Sequence, residues 1–211
     1  NTKKMNIHIG CEFKIGENWK NYDISYVSVF EKIPIIGKIV TFNIRRYPGE
    51  VKYGDISNSI FCEESKADNI FCSHTLEHMP LENMKNALKN IYTMLKPNGC
   101  FRIIVPSLKA RVEHYIKNED ADFFLEKIGM GQKKYRKKFV EKLRGLFGNS
   151  LHLWMYDEKS MEKYLSEAGF VNIKKCKFQD SGIEVFSEVE ELHRFIDGDD
   201  GFIEVAFQCT K

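Results

Sequence analysis

Two histidines and a glutamate stand close together in the stretch Ala67 to Pro80, ADNIFCSHTLEHMP. His74 and His78 are four residues apart with Glu77 between them, so on a helical turn the three side chains share one face. Imidazole titrates near neutral pH, which suits it to taking a proton from a substrate hydroxyl. The same pair of rings can instead chelate a metal while the carboxylate activates water. What these residues do depends on what holds them. Ile70, Phe71 and Cys72 form a short apolar run with a β-branched and an aromatic residue, the pattern of a buried strand. Ser73 and His74 interrupt it, and Thr75 to His78 reads as a turn leading into an amphipathic helix from Leu81 to Leu95. The carboxyl end of a strand in an open α/β sheet is where such sheets bind ligands.

The elements around this stretch repeat one rhythm. Met5 to Gly10, MNIHIG, reads as a first strand ending in glycine, and Asn21 to Ser25 as a second ending near an acid. The link between them is too short for a crossover helix, so at most a turn of helix is expected there. Val29 to Arg46 is apolar and basic and reads as helical in part. Glu50 to Ile56 reads as a third strand, ending in Gly-Asp. After the focal strand and its helix, Lys96-Pro97-Asn98-Gly99 is a turn signal. It feeds Cys100 to Val105, an apolar run of the kind that fills a central parallel position. A helix from Tyr156 to Gly169, a strand from Val171 to Phe178 and a closing strand in GFIEVAFQC complete the chain, the last two spaced to pair as a hairpin. Strand and helix alternating with short links predict an α/β fold with a Rossmann-like, doubly wound, mostly parallel sheet ending in an antiparallel strand.

One segment breaks the rhythm. Ser107 to Ser150 is helical in pattern and carries eleven Lys or Arg against six Asp or Glu, including KKYRKK. It reads as a helical cap, about 107–150, inserted into a single domain of residues 1–211. The chain is 43% hydrophobic and 29% charged with a net charge of +2, values of an ordinary folded protein with no field that calls for nucleic acid. No stretch approaches the roughly 20 apolar residues of a membrane span. Six cysteines without a Cys-x-x-Cys pair predict free thiols in a reducing cytoplasm.

The pieces NIHIGCEFKIGENWKNYDIS, YGDIS, ADNIFCSHTLEHM, MLKPNGCFRIIVPS and YLSEAGF, in that order, resemble a class I S-adenosylmethionine-dependent methyltransferase. They are most similar to small methyltransferases of bacterial surface-glycan gene clusters. The resemblance covers about residues 5–106 and 152–178. It implies that S-adenosylmethionine binds across the strand ends, leaving S-adenosylhomocysteine as product. The implied contacts are Gly10, Cys11 and Glu12 after the first strand, Asp23 and Ile24 after the second, Asp55 and Ile56 after the third, and Cys72, Ser73 and His74 after the fourth. The chemistry of each agrees. Gly10 lets backbone approach the ligand, Asp23 can accept from both ribose hydroxyls, and Asp55 can meet the adenine amine beside the apolar wall of Ile56. Against this, an isolated acid in such a place serves as readily to cap a turn.

The resemblance implies methyl transfer to an oxygen of a sugar, nucleotide-sugar or related polysaccharide precursor. His74 or His78 then serves as base or acceptor-orienting group with Glu77 in support, and His78 with Glu77 can equally cap and pack the helix start. His152, Trp154 and Tyr115 are the expected acceptor contacts, and no metal ligand is assigned. Three alternatives stay open. His74-Thr75-Leu76-Glu77-His78 spells H-x-x-E-H, a zinc-hydrolase signature. Glu12 stands where the family pattern has a second glycine, and its charge would repel the cofactor carboxylate, which suggests a non-catalytic cofactor-binding module. KKYRKK is a solvated helix face or a site for acceptor phosphates; a nucleic-acid face is disfavoured, because Cys72-Ser73-His74 is not the Asn/Asp-Pro-Pro-Tyr/Phe grip of base methyltransferases.

Overall fold

The computed structural model describes residues 4–25, 46–130 and 151–211. Seven strands make one sheet: β1 Asn6–Ile9, β2 Trp19–Asp23, β3 Lys52–Tyr53, β4 Ala67–Ser73, β5 Leu95–Val105, β6 Val171–Lys175 and β7 Val205–Thr210. Their order is β3-β2-β1-β4-β5-β7-β6. The first five pair parallel with one another, and β7 inserts antiparallel between β5 and β6. This is the Rossmann-like, mostly parallel α/β sheet expected, with its antiparallel closing strand.

Alternation along the strands separates two apolar faces. Ile7, Ile9, Ile70, Cys72, Phe101 and Ile103 point to one side, into the larger core. That core is closed by α1 Leu81–Met94, whose Met84, Ala87, Leu88, Ile91 and Met94 recur at helical spacing, and by α4 Glu158–Glu167, started by an Asp157–Ser160 capping box. Phe71, Cys100 and Ile104 face the other side and meet Phe186, Val189 and Phe195 from the acidic C-terminal stretch. That stretch carries the 3-10 turn Glu184–Glu188 and the short helix α5 Leu192–Phe195, so it covers the second face of the sheet.

Within the expected cap, α2 Leu108–Asn118 and α3 Ala121–Lys127 follow β5 directly. Arg111 is buried and forks onto Glu204 at 2.7 and 2.8 Å while its Nε donates to the Lys127 carbonyl at 2.9 Å. One bidentate pair thus ties both helices to the approach of β7. The rest of the cap, and nearly all of the expected helical segment Val29 to Arg46, lie outside the described residues.

Several boundaries differ for physical reasons. β2 starts two residues earlier than expected because Trp19 pairs with Asn6. β3 keeps only Lys52–Tyr53 of the expected Glu50 to Ile56, because Asp55 turns the chain through its own side chain (below). Lys96 to Gly99 is a bulge and not a turn: Leu95 already pairs with Ala67 and Cys100 with Asn69, so four residues loop out inside β5. β6 stops at Lys175, short of the expected Phe178. Residues 11–18 between β1 and β2 form turns without a helix, as expected.

Candidate active site at the carboxyl ends of β1, β2 and β4

β1 leaves the sheet through Gly10, whose φ of 68° is left-handed. A Cβ there would lie 1.7 Å from Thr75 Oγ1 and 3.2 Å from Thr75 Cγ2, so glycine is required both by conformation and by the close passage of the β4 turn. The amides of Gly10 and Cys11 both donate to the Tyr22 carbonyl, at 2.9 and 3.1 Å. Cys11 is buried, and burial raises its thiol pKa. Glu12, also left-handed at φ 45°, donates its amide to Asp23 Oδ2 at 2.9 Å. Its carboxylate turns away and pairs with Arg194 at 2.7 Å.

Asp23 is buried at the end of β2, and burial raises its pKa. Its Oδ1 accepts from the Ser25 amide at 2.8 Å and, more weakly, from the Tyr47 hydroxyl at 3.5 Å. The Tyr47 ring stacks on Phe13 with centroids 4.8 Å apart. Ile24 beside it is exposed. Asp55 behaves as a turn residue, accepting from the Ser57 amide at 2.9 Å, the Ser57 hydroxyl at 2.7 Å and the Asn58 amide group. Ile56 is 2% exposed and gives its carbonyl to Asn90. The structure therefore brings Gly10, Cys11, Glu12 and Asp23 into one hydrogen-bonded unit, while the Asp55 carboxylate is engaged locally.

At the end of β4, Cys72 and Ser73 are buried and His74 turns left-handed, φ 48°, with its amide still on the Ile104 carbonyl at 3.0 Å. His74 and His78 do not share an α-helical face. Only Leu76–His78 is helical, a single 3-10 turn, and the extended Met79 and Pro80 separate it from α1. Both rings reach Glu77 nonetheless: His74 Nδ1 is 3.6 Å and His78 Nε2 3.9 Å from its Oε1. Glu77 is 0% exposed and neither carboxylate oxygen has a hydrogen-bond partner among the described residues. Burial pushes its pKa up to about 8. Burial also pulls His74 down to about 4, and His152 likewise to about 4.

The chain returns over this turn after residue 150. Leu153 and Trp154 donate their amides to the Glu77 carbonyl at 2.7 and 3.2 Å, and Tyr156 donates its hydroxyl to the Leu76 carbonyl at 3.2 Å. His152 thereby comes to rest with its ring 5.1 Å from that of His78. Glu77, His78 and His152 each offer a donor atom within 4.8 Å of the others. Trp154 is 42% exposed, and Tyr115 packs on Phe124 between α2 and α3.

A family model described as a methyltransferase domain matches residues 16–175, most of the chain. The chain belongs to the methyltransferase domain family. No curated protein matches it significantly. Among solved structures it is similar to Haemonchus contortus phosphoethanolamine N-methyltransferase 2 in complex with phosphomonomethylethanolamine and S-adenosylhomocysteine, at 14% identity and TM-score 0.50 over 99% of this chain and 48% of that one. It is similar to the DszA carbon methyltransferase at 12% identity and TM-score 0.50, over 99% and 47%. An S-adenosylmethionine-dependent methyltransferase from Archaeoglobus fulgidus aligns over 99% of this chain and 86% of that one, at 15% identity and TM-score 0.49.

Family and fold together make this methyltransferase an enzyme that uses S-adenosylmethionine. The strand-end residues fit that cofactor. A carboxylate has four acceptor positions, and the described donors occupy three on Asp23, one of them weakly, so a ribose hydroxyl can be received there. The expected repulsion by Glu12 is relieved, since its charge is paired with Arg194. The hydrolase reading loses its helix, because H-x-x-E-H requires both histidines on one α-helical face and His74 is left-handed.

Two contributors carried no signal in the sequence. Arg194 lies far along the chain in a stretch without motif, yet its guanidinium holds Glu12 and its carbonyl lies 2.9 Å from His74 Nε2. Tyr47 follows the basic segment Val29 to Arg46, and its ring stacks on Phe13 with its hydroxyl toward Asp23.

Proposed function

We propose that this methyltransferase acts on an oxygen of a sugar, nucleotide-sugar or related surface-polysaccharide precursor, and that His74 takes the proton the acceptor gives up. Bound at the ends of β1, β2 and β4, S-adenosylmethionine would supply the electrophilic methyl group. The observation that carries the reading is the imidazole–carboxylate pair at the end of β4, with His74 Nδ1 3.6 Å from the buried Glu77. A hydroxyl must lose a proton as it is methylated, whereas a neutral amine attacks without a base, so a base in this position favours an oxygen acceptor.

The local bonding supports these roles. The Arg194 carbonyl can only accept, so His74 Nε2 carries the hydrogen and Nδ1 the lone pair. A proton gained at Nδ1 lies beside the Glu77 carboxyl group, whose oxygen can receive a hydrogen bond from it. Asp23 would receive the ribose, and Arg194 keeps Glu12 from opposing the cofactor carboxylate. His152, Trp154 and Tyr115, with the cap of about 107–150 completing a single domain, would bound the acceptor. Free thiols at all six cysteines suit the cytoplasm, where activated sugar precursors are made.

The test is S-adenosylhomocysteine release from a panel of nucleotide-sugars and glycan precursors, with product mass and linkage identified. His74→Gln should abolish turnover while calorimetry shows S-adenosylhomocysteine binding within about threefold of wild type. Wild-type turnover by His74→Gln, or methylation confined to amines, would overturn the reading.

A further inference from the structure

Glu77 poses a problem that the transfer reaction does not solve. Its carboxyl group is fully buried and neither oxygen receives a hydrogen bond among the described residues. A carboxyl group without partners in such a place costs several kcal/mol, and buried polar groups in folded proteins are satisfied by protein, water or an ion. What surrounds it is two more lone-pair donors: the rings of His78 and His152 complete a group whose donor atoms all lie within 4.8 Å of one another. His74 is not part of that group.

From this geometry we infer that Glu77, His78 and His152 form a binding site for a divalent transition-metal ion of the zinc class. Two imidazoles and one carboxylate are a donor set that zinc and its first-row neighbours accept, and three protein ligands leave a further position open. The second layer is already in place. His78 Nδ1 lies 3.1 Å from the Leu151 carbonyl, which accepts its hydrogen and leaves Nε2 with the lone pair on the Glu77 side. The His152 ring is held by Nδ1 against Met155 Sδ at 3.2 Å. Ligating histidines are oriented in this way by a bond from the other ring nitrogen.

The backbone is equally fixed, since the amides of Leu153 and Trp154 bind the Glu77 carbonyl and set the returning loop at a constant distance. Around an ion with bonds near 2.1 Å, tetrahedral ligand atoms stand about 3.4 Å apart. The Glu77 Oε1 to His78 Nε2 separation of 3.9 Å reaches that spacing by a side-chain adjustment of about half an ångström. A water or an acceptor oxygen would be the remaining ligand. The site stands on its own donors, whatever the acceptor proves to be.

The experiment uses the full chain, purified without a histidine tag and stripped with chelator, in the absence of cofactor and acceptor. Cobalt(II) is titrated by its visible absorption and zinc(II) by competition with a chromophoric chelator. Saturation at one ion per chain, with the intense absorption of four- or five-coordinate cobalt, is expected. His152→Ala and Glu77→Gln should each weaken binding at least about 100-fold, as loss of a ligand exceeds the effect of losing an outer partner. His193→Ala, an exposed histidine elsewhere, should not change it. Thermal unfolding checks that each variant is folded. The inference is overturned if no saturable binding occurs below millimolar metal, or if His152→Ala and Glu77→Gln both bind as the wild type does. Because no methyl transfer is measured, failure here is distinct from failure of the acceptor assignment.

Discussion

Replacing Glu190 by leucine should remove a large part of this protein's stability, and replacing Arg102 along with it should restore most of the loss. Arg102 sits in the middle of β5 at 0% exposure, on the face covered by the C-terminal stretch. Its Nε is 2.7 Å from Glu190 Oε1, whose side chain is equally buried. The remaining donors reach Gln208 Oε1 at 2.6 Å, the Lys177 carbonyl at 2.9 Å and Asp180 at 3.1 Å. The rings of Phe186 and Phe195 lie against the guanidinium at 5.6 and 5.9 Å. Removing one partner of such a pair leaves an uncompensated buried charge and costs about 3–5 kcal/mol. Asp180 remains after Glu190→Leu but is half-exposed, which places the expected loss near about 3 kcal/mol. Arg102→Met leaves Glu190 as the uncompensated charge at similar cost. The double variant removes both charges among aromatic rings and should fall within about 2 kcal/mol of wild type. Urea unfolding at pH 7, followed by far-UV circular dichroism and extrapolated linearly, measures all four corners of the cycle. A Glu190→Leu cost below about 1 kcal/mol, or a double variant as unstable as the two losses added, would refute the reasoning.

Two other perturbations read the strand-end architecture. His8 lies inside β1 between Phe71 and Trp19, and burial lowers its pKa from 6.5 to about 3. The unfolded chain therefore binds a proton that the folded chain refuses between those values; stability is full above pH 6.5 and falls as the pH drops toward 3, by about 2 kcal/mol between pH 7 and pH 5. Urea midpoints for His8→Phe should lack this component of the slope, and parallel pH profiles of variant and wild type would disprove it. Gly10→Ala must place a methyl group against Thr75 at a left-handed φ, and turning Thr75 only exchanges Oγ1 for Cγ2. The expected loss is about 2–4 kcal/mol with weakened S-adenosylhomocysteine binding, and an unchanged melting temperature would contradict the close approach.

Local pattern was enough wherever a feature depends on neighbours in the chain. Ile70 to Cys72 announces β4 because both faces of that strand are covered, and Leu81 to Met94 announces α1 through its spacing. The same locality explains Asp55, whose Ser57 and Asn58 donors stand within three residues of it. Features resting on distant partners were not legible. Lys96 to Gly99 has the composition of a turn, and only the pairing of Leu95 with Ala67 turns it into a bulge. The cluster at His74, Glu77 and His78 is visible as letters, but its spacing suggests a helix that the structure does not form, and its contacts with Arg194 and His152 come from residues far along the chain. Glu12 looked hostile to the cofactor because the sequence says nothing of the guanidinium that neutralises it.

The position of β7 bears on how the molecule is made. It follows β6 in the chain yet lies between β5 and β6 in the sheet, and the described pairing of β6 is to β7 alone. During synthesis, β5 must therefore wait with an open edge, and β6 with no partner in this sheet, until residues near Thr210 have left the ribosome. A product terminated before Val205 would display two unpaired strand edges, an invitation to intermolecular pairing and to proteolysis. Insertion of β7 is therefore the step that joins β6 to the parallel part of the sheet.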